Sequence, residues 1–414
     1  MTRLNEALAP FHPHTRKWFE SSFPAATDVQ ARSWPVIAAG RHALITAPTG
    51  SGKTLTAFLW ALDAFAAGRY ASGATRVLYI SPLKALNNDI QHNLLHPLEA
   101  LRTRFETAGD SFPPIRVQVR SGDTRSTERQ RMLRRPPEIL ITTPESLALL
   151  LTTPRGRQAL ATVETVILDE IHSVVDNRRG TVLMTSLERL ARIAGDFQRI
   201  ALSATVRPLD GVAAFVAGLD ADHVARPIDI IEGRDPKQIE FCVRFPAHVR
   251  AALDAGQKIW EPLTESFKAI IERNAATLFF TNSRRLAEKI TLKLNETEAA
   301  PLAYAHHGSL AREIRSEVEA RLKSGQLRAI VATNSLELGI DIGSLDEVVL
   351  IQSPPSIAST LQRIGRAGHR VGDISRGTLF PTHARDFLGA AALAECIKTR
   401  DLEPLVSIEN PLDV

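Results

Sequence analysis

One unit recurs along this chain: a short β-branched run, a turn of unusual chemistry, then a helical pattern. The first series of runs is Ala43–Thr46, Arg76–Ile80, Arg116–Val119, Ile139–Thr142, Val163–Leu168 and Arg199–Leu202. A second series follows at Thr277–Phe280, Leu302–Ala305, Ala329–Ala332, Glu347–Ile351 and Thr378–Phe380. Strands that alternate with helices form a parallel sheet covered on both faces, so the class is α/β. Two series imply two sheets. The alternation lapses across Ala221–Pro246, where Arg226-Pro227, Gly233-Arg234-Asp235-Pro236 and Phe245-Pro246 read as a linker. The expected division is therefore residues 1–225, residues 226–400 and a tail at 401–414. Sheets of this kind bind ligands at the carboxyl ends of their strands, so the residues just after each run deserve the closest reading.

The chain has 414 residues, enough for two or three domains with their own cores. Its 44% hydrophobic and 23% charged residues are ordinary for a soluble globular protein. Fifty Lys and Arg against 46 Asp and Glu leave a net charge of +4, too thin a margin to name a partner. A local strip is more informative: Arg116, Arg120, Arg125, Arg129, Arg131, Arg134 and Arg135 face only Asp123 and Glu128. Such a strip suits a phosphate backbone, and equally a solvated helix face. The two cysteines, Cys242 and Cys396, cannot build a zinc ribbon, an iron–sulfur site or a disulfide framework. That fits a reducing compartment. With no apolar run of membrane-spanning length and no signal-peptide pattern at Met1–Pro10, the expectation is a soluble, cytoplasmic protein with no membrane partner.

The run Ala43–Thr46 leads into Ala47-Pro48-Thr49-Gly50-Ser51-Gly52-Lys53-Thr54, and a helical pattern follows from Leu55 to Ala66. Strand, glycine-rich loop and helix are the context a phosphate-binding loop requires. Gly50 and Gly52 let the backbone curl so that N–H groups, with the helix N-terminus behind them, face phosphate oxygens. Thr49, Gly50, Ser51 and Gly52 would cradle the phosphates of ATP. Lys53 would reach the β- and γ-phosphates, and the Thr54 hydroxyl would bind Mg2+. Ala47 stands where such loops usually begin with Gly, which is tolerable at negative φ. Kinases, transporters and GTPases share this loop, so it does not by itself decide the function.

A second strand end carries two adjacent carboxylates, Asp169-Glu170-Ile171-His172. An acidic helix start would also look like this, but unpaired charge beside a buried strand is costly. Asp169 can hold Mg2+ and Glu170 can act as general base on the attacking water. His172 can couple this end to the next, Ser203-Ala204-Thr205.

These motifs, with Gln362–His369, resemble in order and spacing motifs I, II, III and VI of superfamily 2 helicases of the DExH type. The finer resemblance, across nearly the whole chain, is to the large helicase-related (Lhr) family. It is carried by Ser81–Leu86, Thr142–Leu147, Phe280–Arg285, His306–Ser309, Ala332–Asp341 and Gln362–His369. The resemblance implies two tandem RecA-like domains closing on ATP and Mg2+. It implies that Gln30 reads adenine, that Arg366 is an arginine finger which Arg363 assists, and that Gly339 and Asp341 touch the ribose and coupling path. Gln362 joins His172, Ser203 and Thr205 as coupling residues. His369 stands where the wider superfamily often has Arg. Phe19 and Phe23 are candidates to pack on the base, although plain core packing accounts for them as well.

Lys84, Thr143, Pro144 and Glu145 in the first half, and Arg284, Arg285, His307, Thr333 and Asn334 in the second, follow successive strand ends. Hydroxyls, amides and a few cations suit phosphates and sugars rather than base edges. The expected partner is single-stranded DNA or RNA, with little sequence preference, or an RNA–DNA hybrid. The resemblance implies 3′-to-5′ movement on DNA and a setting in DNA repair. An RNA-directed remodeller and an ATP-gated clamp without efficient unwinding are the competing readings. Glu409–Val414 resembles the approach to a winged-helix domain, which implies a helicase core shorter than the usual family member and poor at unwinding duplexes.

Overall fold

The computed structural model describes residues 6–48, 50–82, 90–234, 238–256, 258–337, 345–368 and 373–408. Thr49, Lys84, Gly339, Asp341 and His369 lie outside them, so the expectations placed on those five stay expectations. The chain divides into two compact units, Met1–Asp235 together with Pro404–Val414, and Pro236–Glu403.

The first unit is built on seven strands: β1 His42–Thr46, β2 Val77–Ile80, β3 Val117–Arg120, β4 Ile139–Thr142, β5 Thr165–Leu168, β6 Gln198–Ser203 and β7 Ile228–Glu232. They run in the order β3-β4-β2-β5-β6-β1-β7, and every pairing is parallel. β1, β2, β4 and β5 are near-continuous apolar runs because helices cover both faces of the sheet. One apolar cluster gathers Phe19, Trp34, Ile45, Phe58, Tyr79 and Ile141; the other, Leu44, Leu78, Leu168, Leu183 and Leu202's neighbour Ala201. The alternation of strand residues between the two clusters is the period of two expressed in packing.

The second unit has six parallel strands: β8 Ile239–Val243, β9 Thr277–Thr281, β10 Ala303–His306, β11 Ala329–Ala332, β12 Glu347–Ile351 and β13 Ser375–Phe380. Their order is β10-β11-β9-β12-β13-β8. β1, which precedes the glycine-rich loop, lies one place in from the β7 edge of its sheet, and β9 lies inside the other sheet.

The expected division at residue 225 does not hold. β7 pairs with β1 along His42↔Ile228 to Thr46↔Glu232 and so belongs to the first unit. β8 pairs with β13 and belongs to the second. The stretch read as a linker therefore contains an edge strand of each sheet. Edge strands are half-solvated, and β8 is partly exposed along its whole length, so neither shows the apolar run of an interior strand. In the tail, Leu405 packs on the first unit and donates its N–H to Arg207 O at 2.7 Å.

Candidate nucleotide and nucleic-acid sites

The helix Lys53–Ala66 begins where the glycine-rich loop ends. Gly50 and Gly52 have φ of 81° and 82°, the left-handed region that disfavours a side chain. A Cβ on Gly52 would also lie 2.6 Å from Gln30 Nε2. Ala47 is not among the residues of positive φ, so the missing first glycine costs nothing here. Thr27 caps the helix Asp28–Ala38 and its Oγ1 donates to Ser51 O at 2.8 Å, which ties that helix to the loop. Lys53 Nζ donates to the carbonyls of Ala47 and Pro48 at 2.5 and 2.8 Å. Ser51 Oγ is buried and has no hydrogen-bond partner among the described residues, and Thr54 beside it is half-buried.

Gln30 lies against this loop, but its carboxamide is engaged locally. Oε1 accepts from Thr27 N at 3.0 Å, completing a capping box, and Nε2 points to Gly52 O at 3.5 Å. Its geometry is that of a brace for the loop, where the resemblance implied an adenine reader. Phe19 is fully buried against Trp34 and Phe23, which places it in the core.

Asp169 follows β5 and is 7% exposed. Burial, then the charge of Glu170, pushes its pKa up to about 6, while hydrogen bonds and the charge of Lys53 pull the other way. Tyr79 donates its hydroxyl to Asp169 Oδ2, and Glu170 N–H donates to Oδ1 at 2.8 Å. Tyr79 was not among the sequence candidates, because a tyrosine inside an apolar strand reads as core. Glu170 itself has φ 48° and ψ 40°, a left-handed backbone rare for a residue with a side chain. Strain of this sort collects at functional sites.

The structure brings the next motif to the same place. His172 Nδ1 accepts from Ala204 N at 3.1 Å and lies 3.5 Å from Glu170 Oε2. Thr46 Oγ1 donates to Ala204 O at 2.8 Å, and Ala47 N to Ser203 O at 3.2 Å. The phosphate loop, the carboxylate pair and Ser203-Ala204-Thr205 thus share one hydrogen-bonded seam. Ser203 Oγ is buried without a hydrogen-bond partner among the described residues, and Thr205 is half-buried.

In the second unit, Gln362, Arg363 and Arg366 lie on and just beyond the helix Ile357–Ile364. Gln362 is half-buried and Arg366 is buried. Arg363, expected to assist Arg366 at the phosphates, is 3% exposed and its guanidinium is already taken up. Nε donates to Glu337 Oε2 at 3.1 Å, Nη1 to Asn282 Oδ1 at 3.2 Å, and the group lies 5.2 Å from the Phe280 ring centre. A cation so enclosed organises its own unit, where the resemblance implied a residue that assists Arg366.

The nucleic-acid candidates separate into two groups. Glu145, Arg284, Arg285 and Asn334 are exposed at strand ends. Thr143, Pro144, His307 and Thr333 are buried. Thr143 caps its helix by accepting from Ser146 N at 3.3 Å, with Pro144 at the first helical position. His307 Nε2 is paired with Glu288 at 2.6 Å. Glu145 is bound by Arg179 Nε at 2.7 Å, and Arg179 also donates to Pro82 O at 2.7 Å. Arg284 donates to Ser309 Oγ. In the arginine strip, Arg116 is tied to Glu138 and Arg129 to the Ser121 and Gly122 carbonyls, while Arg125, Arg131, Arg134 and Arg135 are exposed. Among the described residues no group of three or more His, Cys, Asp and Glu is placed to hold a metal, and no helix is long and apolar enough to cross a membrane.

Comparison with known proteins matches residues 27–211 to the DEAD/DEAH box helicase family and residues 262–371 to the helicase conserved C-terminal domain. The chain is 45% identical over 404 residues to ATP-dependent helicase Lhr-Core protein 2 of Thermococcus barophilus, covering 96% of this chain and 47% of that protein. Its structure aligns with Mycobacterium smegmatis helicase Lhr bound to ssDNA and AMP-PNP at a TM-score of 0.90 and 46% identity, over 99% of this chain and 52% of that one. The chain belongs to the Lhr family of superfamily 2 helicases. The RecA-like reading of both sheets is thereby shown. A more distant likeness, to S. cerevisiae Dbp5 bound to RNA and ADP BeF3, has a TM-score of 0.68 at 19% identity over 96% of this chain and 93% of that one, and speaks to the fold alone. This Lhr-family chain spans about half the length, or less, of the curated relatives it matches.

Proposed function

We propose that this chain is an ATP-hydrolysing motor that moves 3′-to-5′ on single-stranded DNA. The observation that carries this reading is the convergence of Lys53, Asp169 and Glu170 on one seam, with Lys53 close enough to act on the charge of Asp169. The loop N–H groups and Lys53 would hold the triphosphate, Lys53 exchanging its two loop carbonyls for phosphate oxygens. Glu170 would take a proton from the water that attacks the γ-phosphorus as the bond to the β-phosphate oxygen breaks, leaving ADP and phosphate. Arg366 would add positive charge to the transferring phosphoryl group. Mg2+ would neutralise charge on the phosphates. Thr54 and Asp169 fit it, since a buried carboxylate crowded by a second one is the donor a cation relieves, and Mg2+ takes few protein ligands beside phosphates. The exposed Arg284, Arg285 and Asn334, with the exposed part of the arginine strip, would follow the strand's phosphates.

Steady-state ATP hydrolysis with and without single-stranded DNA tests the reading. Stimulation by DNA is expected, with a loss of at least about a hundredfold in Glu170→Gln. Release of streptavidin from a 5′-biotin but not a 3′-biotin would establish the direction. The relative bound to ssDNA at 46% identity favours DNA. Stimulation by a matched RNA and not by DNA would replace this reading with that of an RNA remodeller. A rate indifferent to both would leave an ATP-gated clamp.

A further inference from the structure

Arg363 closes a bridge across three loops of the second unit. Its Nη1 meets Asn282, which follows β9, and its Nε meets Glu337, which follows the short helix Asn334–Leu336 after β11. Asn282 in turn donates its Nδ2 to Ser353 O, after β12, at 2.7 Å. Two of these loops bear exposed residues proposed above to hold phosphates: Arg284 and Arg285 lie just beyond Asn282, and Asn334 lies one turn before Glu337. Arg363 also sits one turn before Arg366, whose N–H donates to Arg363 O at 3.1 Å. Asn282 is exposed while Arg363 is buried, so the bridge runs from the surface into the unit.

We propose that Asn282 and Glu337 are positioning residues that, through Arg363, couple occupation of the strand-end loops by a nucleic-acid backbone to the placement of Arg366. A buried guanidinium tolerates the loss of a carboxylate or carboxamide partner poorly, so the bridge is either made or broken. A strand held at Arg284, Arg285 and Asn334 favours the made state, and Arg366 is then held for turnover. This rests on the DNA-stimulated hydrolysis proposed above, and the wild-type arm of the experiment tests that separately.

The test is ATPase kinetics on the full chain with Asn282→Ala, Glu337→Gln and Asn282→Asp, across a titration of single-stranded DNA. In the first two variants the DNA-stimulated kcat is expected to fall about tenfold. The basal rate, the KM for ATP and the half-saturating DNA concentration stay within about twofold. Asn282→Asp keeps an acceptor for Arg363 and retains most of the stimulation. Basal and stimulated rates falling together, with a lowered melting temperature, would overturn the proposal in favour of a merely structural bridge. A raised half-saturating DNA concentration at unchanged kcat would overturn it in favour of a direct contact by Asn282. Stimulation kept in full by Asn282→Ala and Glu337→Gln would also overturn it. A wild-type rate that ignores DNA would instead remove the function on which the proposal rests.

Discussion

At Asp169 a carboxylate sits where burial and the adjacent Glu170 charge raise its pKa to about 6. The folded value lies above the ordinary one, so this group favours the fold at low pH, and that contribution is lost as pH rises through about 6. Asp169→Asn is therefore expected to stabilise the nucleotide-free protein at pH 8 by an amount on the order of 1–3 kcal/mol, and to change little near pH 4. Thermal melts at the two pH values measure this; an equal shift at both would mean that packing, not ionisation, is responsible. Tyr79 acts on the same group, since its hydroxyl donates to the carboxylate and lowers the pKa. Tyr79→Phe should move the acid limb of the ATPase pH profile upward, a shift that loss of packing alone would not produce. Asp169 and Glu170 were legible in the sequence because two carboxylates after an apolar run are conspicuous. Tyr79 was not, since only pairing β2 beside β5 brings it to them.

Elements position these residues through a few close approaches. Gly377 on β13 faces Ile364 at the end of the helix Ile357–Ile364, and a Cβ there would lie 2.6 Å from Ile364 Cγ1. Gly377→Ala should push that helix end, costing about 1–3 kcal/mol of stability. It should lower ATPase activity by displacing Arg366, and Ile364→Ala in the same chain, which removes the Cγ1, Cδ1 and Cγ2 that the new Cβ would meet, should recover part of the activity. At the far end of the first sheet, burial alone would raise the pKa of Glu138. Hydrogen bonds from the Arg116 side chain, from Arg116 N–H and from Gly73 N–H outweigh it and hold the carboxylate below its ordinary range. A depressed folded pKa gives stability that is present above the unfolded value and lost as pH falls through the folded one. Glu138→Gln is expected to destabilise the protein at pH 7 by about 1–3 kcal/mol, with the difference from wild type narrowing in acid. A gap between the two melting curves that persists below pH 3 would contradict this. Arg116, read in the sequence as part of a basic strip, is thus bound to structure, while its exposed neighbours stay available to a phosphate backbone.

On the scale of the whole molecule, each unit encloses apolar clusters of its own. Calorimetry should therefore resolve two unfolding transitions. Gly180→Ala, whose Cβ would lie 2.0 Å from Val174 O in the first unit, should lower one, and Gly377→Ala the other. A single transition moved by both would show that the units unfold as one. The sequence by itself determined the two parallel sheets, the phosphate loop and the acidic strand end, and with them the family. Those features are local: a β-branched run, a glycine at positive φ and a helix start are dictated by neighbours a few residues apart. The edge strands β7 and β8, the approach of Gln30 Nε2 to Gly52 O in the loop, Tyr79 on Asp169 and the enclosure of Arg363 were decided by the tertiary structure alone. Each depends on a partner far along the chain, Arg363 on Asn282 across 81 residues, and on burial that makes an unpaired charge too costly to leave alone.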